Sequence, residues 1–218
     1  MMDNLGGMNA WRMIWAGGPI MIPILLCSLF ALGIMIEKFF FFHQIETNVS
    51  QFKKEIFEHL QKNRLKEAVQ LCDANPSPVA KIFQAGLMKQ GASKEEIKEA
   101  LQDASLFEIP KLESRLNVLA TIANMAPLLG LLGTVVGMIS CFHTIQMRTA
   151  DLNPVTPGDL AGGISVALLT TLGGLLVAIP AYIAYHYFVH RVNTLVLEME
   201  RGATELVHFM SQMMDVSS

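Results

Sequence analysis

The stretch that decides the fold is "GISVALLTTLGGLLVAIP", Gly163–Pro180. It contains no charged residue and belongs to a longer run, 160–190, without Asp, Glu, Lys or Arg. About 20 apolar residues in a helix cross the hydrocarbon core of a bilayer, so this run predicts a membrane-spanning helix. Thr170 and Thr171 stand together in its middle, and polar side chains at that depth need partners.

Two more runs lack these four charged residues, 13–36 and 116–147. The composition agrees with a membrane protein, because 52% of residues are hydrophobic, only 16% are charged and the mean hydropathy is +0.41. We therefore predict an all-α membrane protein with three transmembrane helices. The second and third are long and extend into the cytoplasm, where they join a helical domain.

The distribution of Lys and Arg predicts the orientation. The segment 43–115 holds 11 of the 16 cations, which places it in the cytoplasm by the positive-inside rule. The predicted organisation is an outer N-terminus (1–12), a first span (13–42), a cytoplasmic helical domain (43–115), a second span (116–147), an outer link (148–159), a third span (160–190) and a cytoplasmic helical tail (191–218).

Local signals predict several helices in the segment 43–115. The stretch Asn75–Pro78 is expected to end one helix before another that ends at Gly91. Ser93 and Glu96 have the spacing of a capping box at the start of a third. Pro110 would either kink this helix or begin a new one.

No catalytic or cofactor constellation is visible. Cys27, Cys72 and Cys141 lie among apolar neighbours, so we interpret them as packing residues and not as disulfide partners. His186 and His190 have metal-compatible spacing but no third ligand nearby, and we interpret them as interfacial side chains. Because no catalytic constellation is visible, the chain is predicted not to be an enzyme. Its net charge of −3 is near balance and does not indicate a nucleic-acid partner.

Small residues recur at helical spacing in the second and third spans, and small residues allow helix backbones to approach closely in lipid. The predicted helix-packing positions are Pro127, Gly130, Gly133, Gly137, Gly163, Gly174 and Pro180.

Three threonines in these spans are predicted to meet at one depth. Thr134 and Thr171 each lie about 20 Å below the outer ends of their antiparallel helices, and Thr170 adjoins Thr171. A single threonine in a span often only bonds a carbonyl of its own helix. Three hydroxyls at one level favour a path for water or ions, or contact with a partner.

Neither of these two spans contains Asp or Glu. A proton carrier needs a titratable group, so the carboxylate of such a path would come from another chain. This reasoning predicts a partner subunit surrounded by a homo-oligomer of the present chain.

Two motifs carry a family resemblance: "APLLGLLGTVVGMISCF", Ala126–Phe142, and "ISVALLTTLGGLLVAIPAYIAY", Ile164–Tyr185. They are similar to signatures of the bacterial ion-channel subunits typified by MotA, TolQ and ExbB, and the three-span plan resembles TolQ and ExbB. The resemblance implies an inner-membrane pentamer, with a periplasmic N-terminus, around two copies of a single-span TolR/ExbD-like partner that carries an Asp. Ion flow would then power outer-membrane transport or envelope maintenance, without a cofactor.

Thr134 and Thr171 match threonines of that family, but two positions depart from it. Val166 stands where TolQ and ExbB usually carry Glu, and Thr170 stands where they usually carry Ala. Sodium-driven flagellar relatives are similar in having a Thr-Thr pair, so sodium is one of two candidate coupling ions. We favour the other, the proton. A non-conducting membrane scaffold that anchors an envelope complex is the alternative function.

Overall fold

The computed structural model describes residues 17–62, 64–150 and 154–217, without the side chains of residues 44–50, 159 and 213–217. All regular elements in this part of the chain are helices. They are α1 (Met21–Gln61), α2 (Leu65–Ala74), α3 (Pro78–Leu87), α4 (Lys94–Glu113), α5 (Leu116–Ala150) and α6 (Pro157–Ser217).

The prediction of an all-α membrane protein is confirmed. Within the described residues, three stretches are long and apolar enough to span a membrane. These are Met21–His43, Lys94–Ala150 and Leu160–Gln212. The domain boundaries proposed from the sequence stay predictions, and the N-terminal segment 1–12 lies outside the described residues.

The chain forms two compact units. The first unit comprises Met1–Ile36 and Arg115–His186, and the second comprises Glu37–Ser114 and Tyr187–Ser218. The first contains most of the apolar sequence predicted to span the membrane. The second contains most of the charged residues and the short helices α2, α3 and α4.

Capping determines where the short helices of the second unit begin. The Ser93 hydroxyl accepts a hydrogen bond from the Glu96 N–H, and the Glu96 carboxylate accepts one from the Ser93 N–H, so the predicted capping box is confirmed. That backbone donor lowers the pKa of Glu96, because it stabilises the charged form. Ser77 caps α3 in a similar way, with Pro78 in its first turn.

Pro110 does not begin a helix. It lies inside α4, which continues to Glu113, so the alternative in which Pro110 starts a new helix is wrong. The new helix begins at Leu116 because the backbone leaves the helical conformation at Ser114 and Arg115, and Arg115 has a φ of +66°. A left-handed conformation in a residue with a side chain is uncommon and interrupts a right-handed helix.

Helices α1, α3, α4 and α6 meet in the core of the second unit. The Phe57 ring of α1 lies edge-on to Phe83 of α3 at 6.4 Å and to Phe209 of α6 at 6.2 Å. Gly86 of α3 lies against Leu101 of α4 and Leu206 of α6. The apolar faces of these helices are therefore buried against one another, which stabilises the unit.

Among the described side chains of the second unit, two charged ones are buried, and both have partners. Lys38 is 3% exposed, and its ammonium donates to the carbonyl of Leu112 at 2.8 Å beside the rings of Phe41 and Phe42. The buried Glu108 carboxylate pairs with Lys111 at 2.5 Å. Such partners are required because an unpaired charge is costly to remove from water.

Candidate ion-path site

The contact between α5 and α6 in the first unit is made at glycines. A Cβ atom on Gly174 would lie 2.5 Å from the carbonyl oxygen of Ala126, and one on Gly137 would lie 2.8 Å from that of Gly163. Both obstacles are backbone atoms, which cannot move aside as the end of a flexible side chain can. The two helices therefore approach each other at a distance that only glycine permits.

The threonine pair lies across two further glycines of α5. A Cβ atom on Gly130 would lie 3.1 Å from the Cα of Thr171, and one on Gly133 would overlap the side chain of Thr170. All five glycines predicted to serve packing thus lie in this contact.

The Thr171 hydroxyl connects the two helices. It donates to the Gly130 carbonyl of α5 at 3.2 Å and to the Ala167 carbonyl of its own helix at 3.3 Å. Both distances are longer than is usual for a hydrogen bond between two oxygens, and the side chain is only half-buried. Such a hydroxyl can turn toward a stronger acceptor such as a carboxylate.

The Thr170 hydroxyl, in contrast, bonds only within its own helix. The residue is 0% exposed, and the hydroxyl donates to the carbonyls of Ala167 at 2.9 Å and Val166 at 3.0 Å. In the protomer its side chain is enclosed by α5 and the segment that precedes α1. The role of Thr170 in an ion path stays a prediction.

Thr134 follows Gly133 directly, so it lies within about one helical turn of the threonine pair's level. Its side chain is half-buried, and its hydroxyl donates to the carbonyl of Leu131 at 2.6 Å. It therefore also bonds within its own helix.

The two prolines predicted in the packing set lie inside helices, Pro127 in α5 and Pro180 in α6. Proline has no N–H, so each leaves one carbonyl of the preceding turn without its usual helical donor. Pro127 follows Ala126, whose own carbonyl faces Gly174. In membrane helices, closely packed neighbours tolerate such interruptions.

No cluster of three His, Cys, Asp or Glu able to hold a metal occurs among the described residues. His186 packs edge-on against Tyr182 at 4.4 Å and Tyr185 at 5.2 Å between ring centroids. The three cysteines are free thiols, and those of Cys72 and Cys141 are buried.

Two features of this structure were not anticipated from the sequence. The segment before α1 reaches the threonine pair, since a Cβ on Gly17 would lie 3.6 Å from the Thr170 methyl group and one on Gly18 would lie 3.8 Å from Val166. The buried position of Lys38 was also missed. The available signals were the Gly17-Gly18 pair and a single lysine between Glu37 and a run of four phenylalanines.

Comparison with known families agrees with this architecture. The sequence model of the MotA/TolQ/ExbB proton channel family matches residues 74–201, more than half of the chain. The chain belongs to the MotA/TolQ/ExbB proton channel family. The matched region contains the complete α5–α6 contact and the three threonines.

Several members of this family are similar to the chain over most of its length. A putative ExbB-like biopolymer transport protein of Synechocystis is 30% identical, and the alignment covers 88% of this chain and 92% of the relative. The biopolymer transport protein ExbB of Salmonella typhimurium is 30% identical, with 77% of each chain covered. The Tol-Pal system protein TolQ of Pseudomonas aeruginosa is 35% identical over 56% of this chain and 58% of the relative.

The predicted resemblance is therefore confirmed. Together with the three apolar helices, it identifies the chain as a multi-pass membrane protein of the MotA/TolQ/ExbB proton channel family.

Proposed function

We propose that this chain is an inner-membrane subunit of an ion-driven motor that performs work at the cell envelope. Five copies would surround two copies of a single-span partner similar to TolR or ExbD, whose Asp carries the ion. Family membership and relatives named for biopolymer transport and the Tol-Pal system support this proposal.

The observation that carries the proposal is the geometry of Thr171. Its half-buried hydroxyl lies in the α5–α6 contact and makes only long hydrogen bonds to two carbonyls. No carboxylate is present in 116–147 or 160–190, the sequence runs that form this contact. A hydroxyl without a nearby titratable group can stabilise a carried charge but cannot carry a proton itself, so the carrier belongs to the partner.

We favour the proton as the coupling ion, in keeping with the family's description as proton channels. Sodium is the alternative that the threonine pair supports, because hydroxyl and carbonyl oxygens can also coordinate a hard cation. Flux through the reconstituted complex, measured once under a proton gradient and once under a sodium gradient, distinguishes the two coupling ions.

We also propose the orientation of the subunit from its charges. The segment 43–115 and the tail after residue 190 would face the cytoplasm, and the N-terminus and the link 148–159 would face the periplasm.

Thr171→Val tests the proposed path, because valine keeps the shape of threonine but removes the hydroxyl. The complex of this chain with its TolR/ExbD-like partner would be reconstituted in liposomes and ion flux measured per assembled complex. We expect at least a tenfold loss of flux with unchanged assembly. Thr144→Val is the matched control, since the Thr144 hydroxyl bonds only the Ser140 carbonyl of its own helix, and it should retain full flux.

The scaffold function makes the opposite prediction for the same experiment. A scaffold depends on the close glycine contacts of α5 and α6 and not on the Thr171 hydroxyl. Absence of flux in the intact wild-type complex under both ion gradients would favour the scaffold. Full flux from the Thr171→Val complex would exclude Thr171 from the path.

A further inference from the structure

Thr170 is the polar residue of the α5–α6 contact that the proposed ion path does not explain. It is fully buried, yet its hydroxyl reaches no atom of another helix. We propose that Thr170 is a positioning residue, whose side-chain shape holds α6 in the rotation that brings the Thr171 hydroxyl to Gly130. This inference rests on the proposed function of Thr171.

The first step of the argument is steric. The Thr170 side chain occupies the space that a Cβ atom on Gly133 would fill: its hydroxyl oxygen and Cβ lie nearest to that position, and its methyl carbon lies 2.9 Å from it. On the other side, the same methyl carbon lies 3.6 Å from the position of a Cβ on Gly17. The side chain therefore fills a notch between two glycines, one in α5 and one before α1.

The second step concerns the hydroxyl. Its acceptors are the carbonyls of Val166 and Ala167, one turn earlier in α6. Within a helix these carbonyls also accept backbone N–H groups, so loss of the hydroxyl leaves neither of them without a donor. The shape of the branched side chain, and not its polarity, is then what the notch requires.

The third step links the notch to the ion path. Neighbouring residues of a helix point about 100° apart, so fixing the direction of Thr170 also fixes that of Thr171. The bond from Thr171 to Gly130 is already 3.2 Å long. A small rotation or shift of α6 would lengthen it beyond hydrogen-bonding distance.

Two variants separate shape from polarity. Thr170→Val keeps both branches at Cβ and removes the hydroxyl, whereas Thr170→Ser keeps the hydroxyl and removes the methyl group. Each would be reconstituted with the TolR/ExbD-like partner, and proton and sodium flux would be measured per assembled complex. We expect the valine variant to remain within about twofold of wild type with an unchanged proton-to-sodium ratio. We expect the serine variant to lose at least fivefold.

The reverse order, with serine active and valine inactive, would overturn the proposal and make the Thr170 hydroxyl a ligand of the ion. A changed proton-to-sodium ratio in the valine variant would overturn it as well, and so would full flux from both variants. Thr171→Val is measured in parallel, because full activity of that variant means that the proposed ion path itself has failed.

Discussion

At the scale of single residues, the glycines, which have no side chain, are as important to the helix contact as the threonines beside them. The α5–α6 contact depends on glycines that face backbone atoms, and beside them Thr170 and Thr171 have different surroundings. One hydroxyl stays within its own helix and the other bridges to α5. Adjacent positions with the same side chain therefore have different contacts.

Gly174→Ala should destabilise the protein. Its Cβ would lie 2.5 Å from the carbonyl oxygen of Ala126, and overpacking a closely packed contact costs about 1–3 kcal/mol. Thermal unfolding in detergent measures the change. Gly162→Ala, in the same helix, is the matched control because no atom beyond its own turn of helix lies within 4 Å of its Cβ position, and it should be neutral or slightly stabilising. Equal unfolding temperatures for the two variants would contradict the close contact.

The Cys72 thiol should resist alkylation in the folded protein. Burial raises its pKa to about 12, and the reactive thiolate is scarce far below that pH. Labelling with iodoacetamide at pH 8, followed by mass spectrometry, should leave Cys72 unmodified. The same protein unfolded in guanidinium should be labelled fully. Modification of native Cys72 at the rate of a free thiol would show that the site is open.

At the scale of elements, local signals determine the helix ends, and long-range contacts determine how these ends are held. The capping box at Ser93 is readable from four residues of sequence. At its other end α4 depends on Lys38, a residue 74 positions away from the carbonyl that it binds. The start of α4 can therefore be predicted from the local sequence, whereas the contact that holds its end cannot.

Ser93→Ala should loosen the first turn of α4 by about 1 kcal/mol, because it removes the acceptor of the Glu96 N–H. Hydrogen exchange of amides 94–97 measures this. Thr204→Ala is the control, since the Thr204 hydroxyl is exposed and bonds only the Glu200 carbonyl.

The cap should also depend on pH. The pKa of Glu96 is lower in the folded protein than the ordinary carboxyl pKa. Its contribution to the stability of the helix start is therefore complete above the ordinary pKa and is lost as the pH falls through the folded pKa. Protection of amides 94–97 that remained constant across that acidic range would contradict the role of Glu96.

Lys38→Met should destabilise the end of α4. The variant leaves the Leu112 carbonyl buried without its ammonium donor, which costs about 1–3 kcal/mol. We expect faster hydrogen exchange near the α4 C-terminus. Lys54→Met is the control, because Lys54 lies at an exposed position of α1, the helix that also contains Lys38. This variant should leave the exchange near the α4 C-terminus unchanged. Equal exchange in both variants would mean that the Lys38 contact contributes little.

At the scale of the whole molecule, the chain combines an apolar unit with a charged helical unit. The apolar unit contains hydroxyls but no carboxylate in the runs 116–147 and 160–190. Under the proposed function, the carboxylate that carries a proton belongs to the partner, so the isolated chain should conduct no protons.

Flux measurements test this prediction. Liposomes containing this chain alone should show no proton flux, whereas liposomes with the partner should conduct protons, or sodium if that is the coupling ion. Proton flux through the chain alone would contradict the need for a carboxylate from outside.

The sequence by itself determined the all-α class, the three spans, the capping box and the family resemblance. Hydropathy acts over about 20 consecutive residues and capping over four, so both are visible without knowledge of distant contacts. Only the tertiary structure decided which hydroxyl of the Thr170–Thr171 pair is buried and which bridges to Gly130, and only it revealed the burial of Lys38. The physical reason is that neighbouring helix positions point about 100° apart, and what each one meets depends on the placement of other helices.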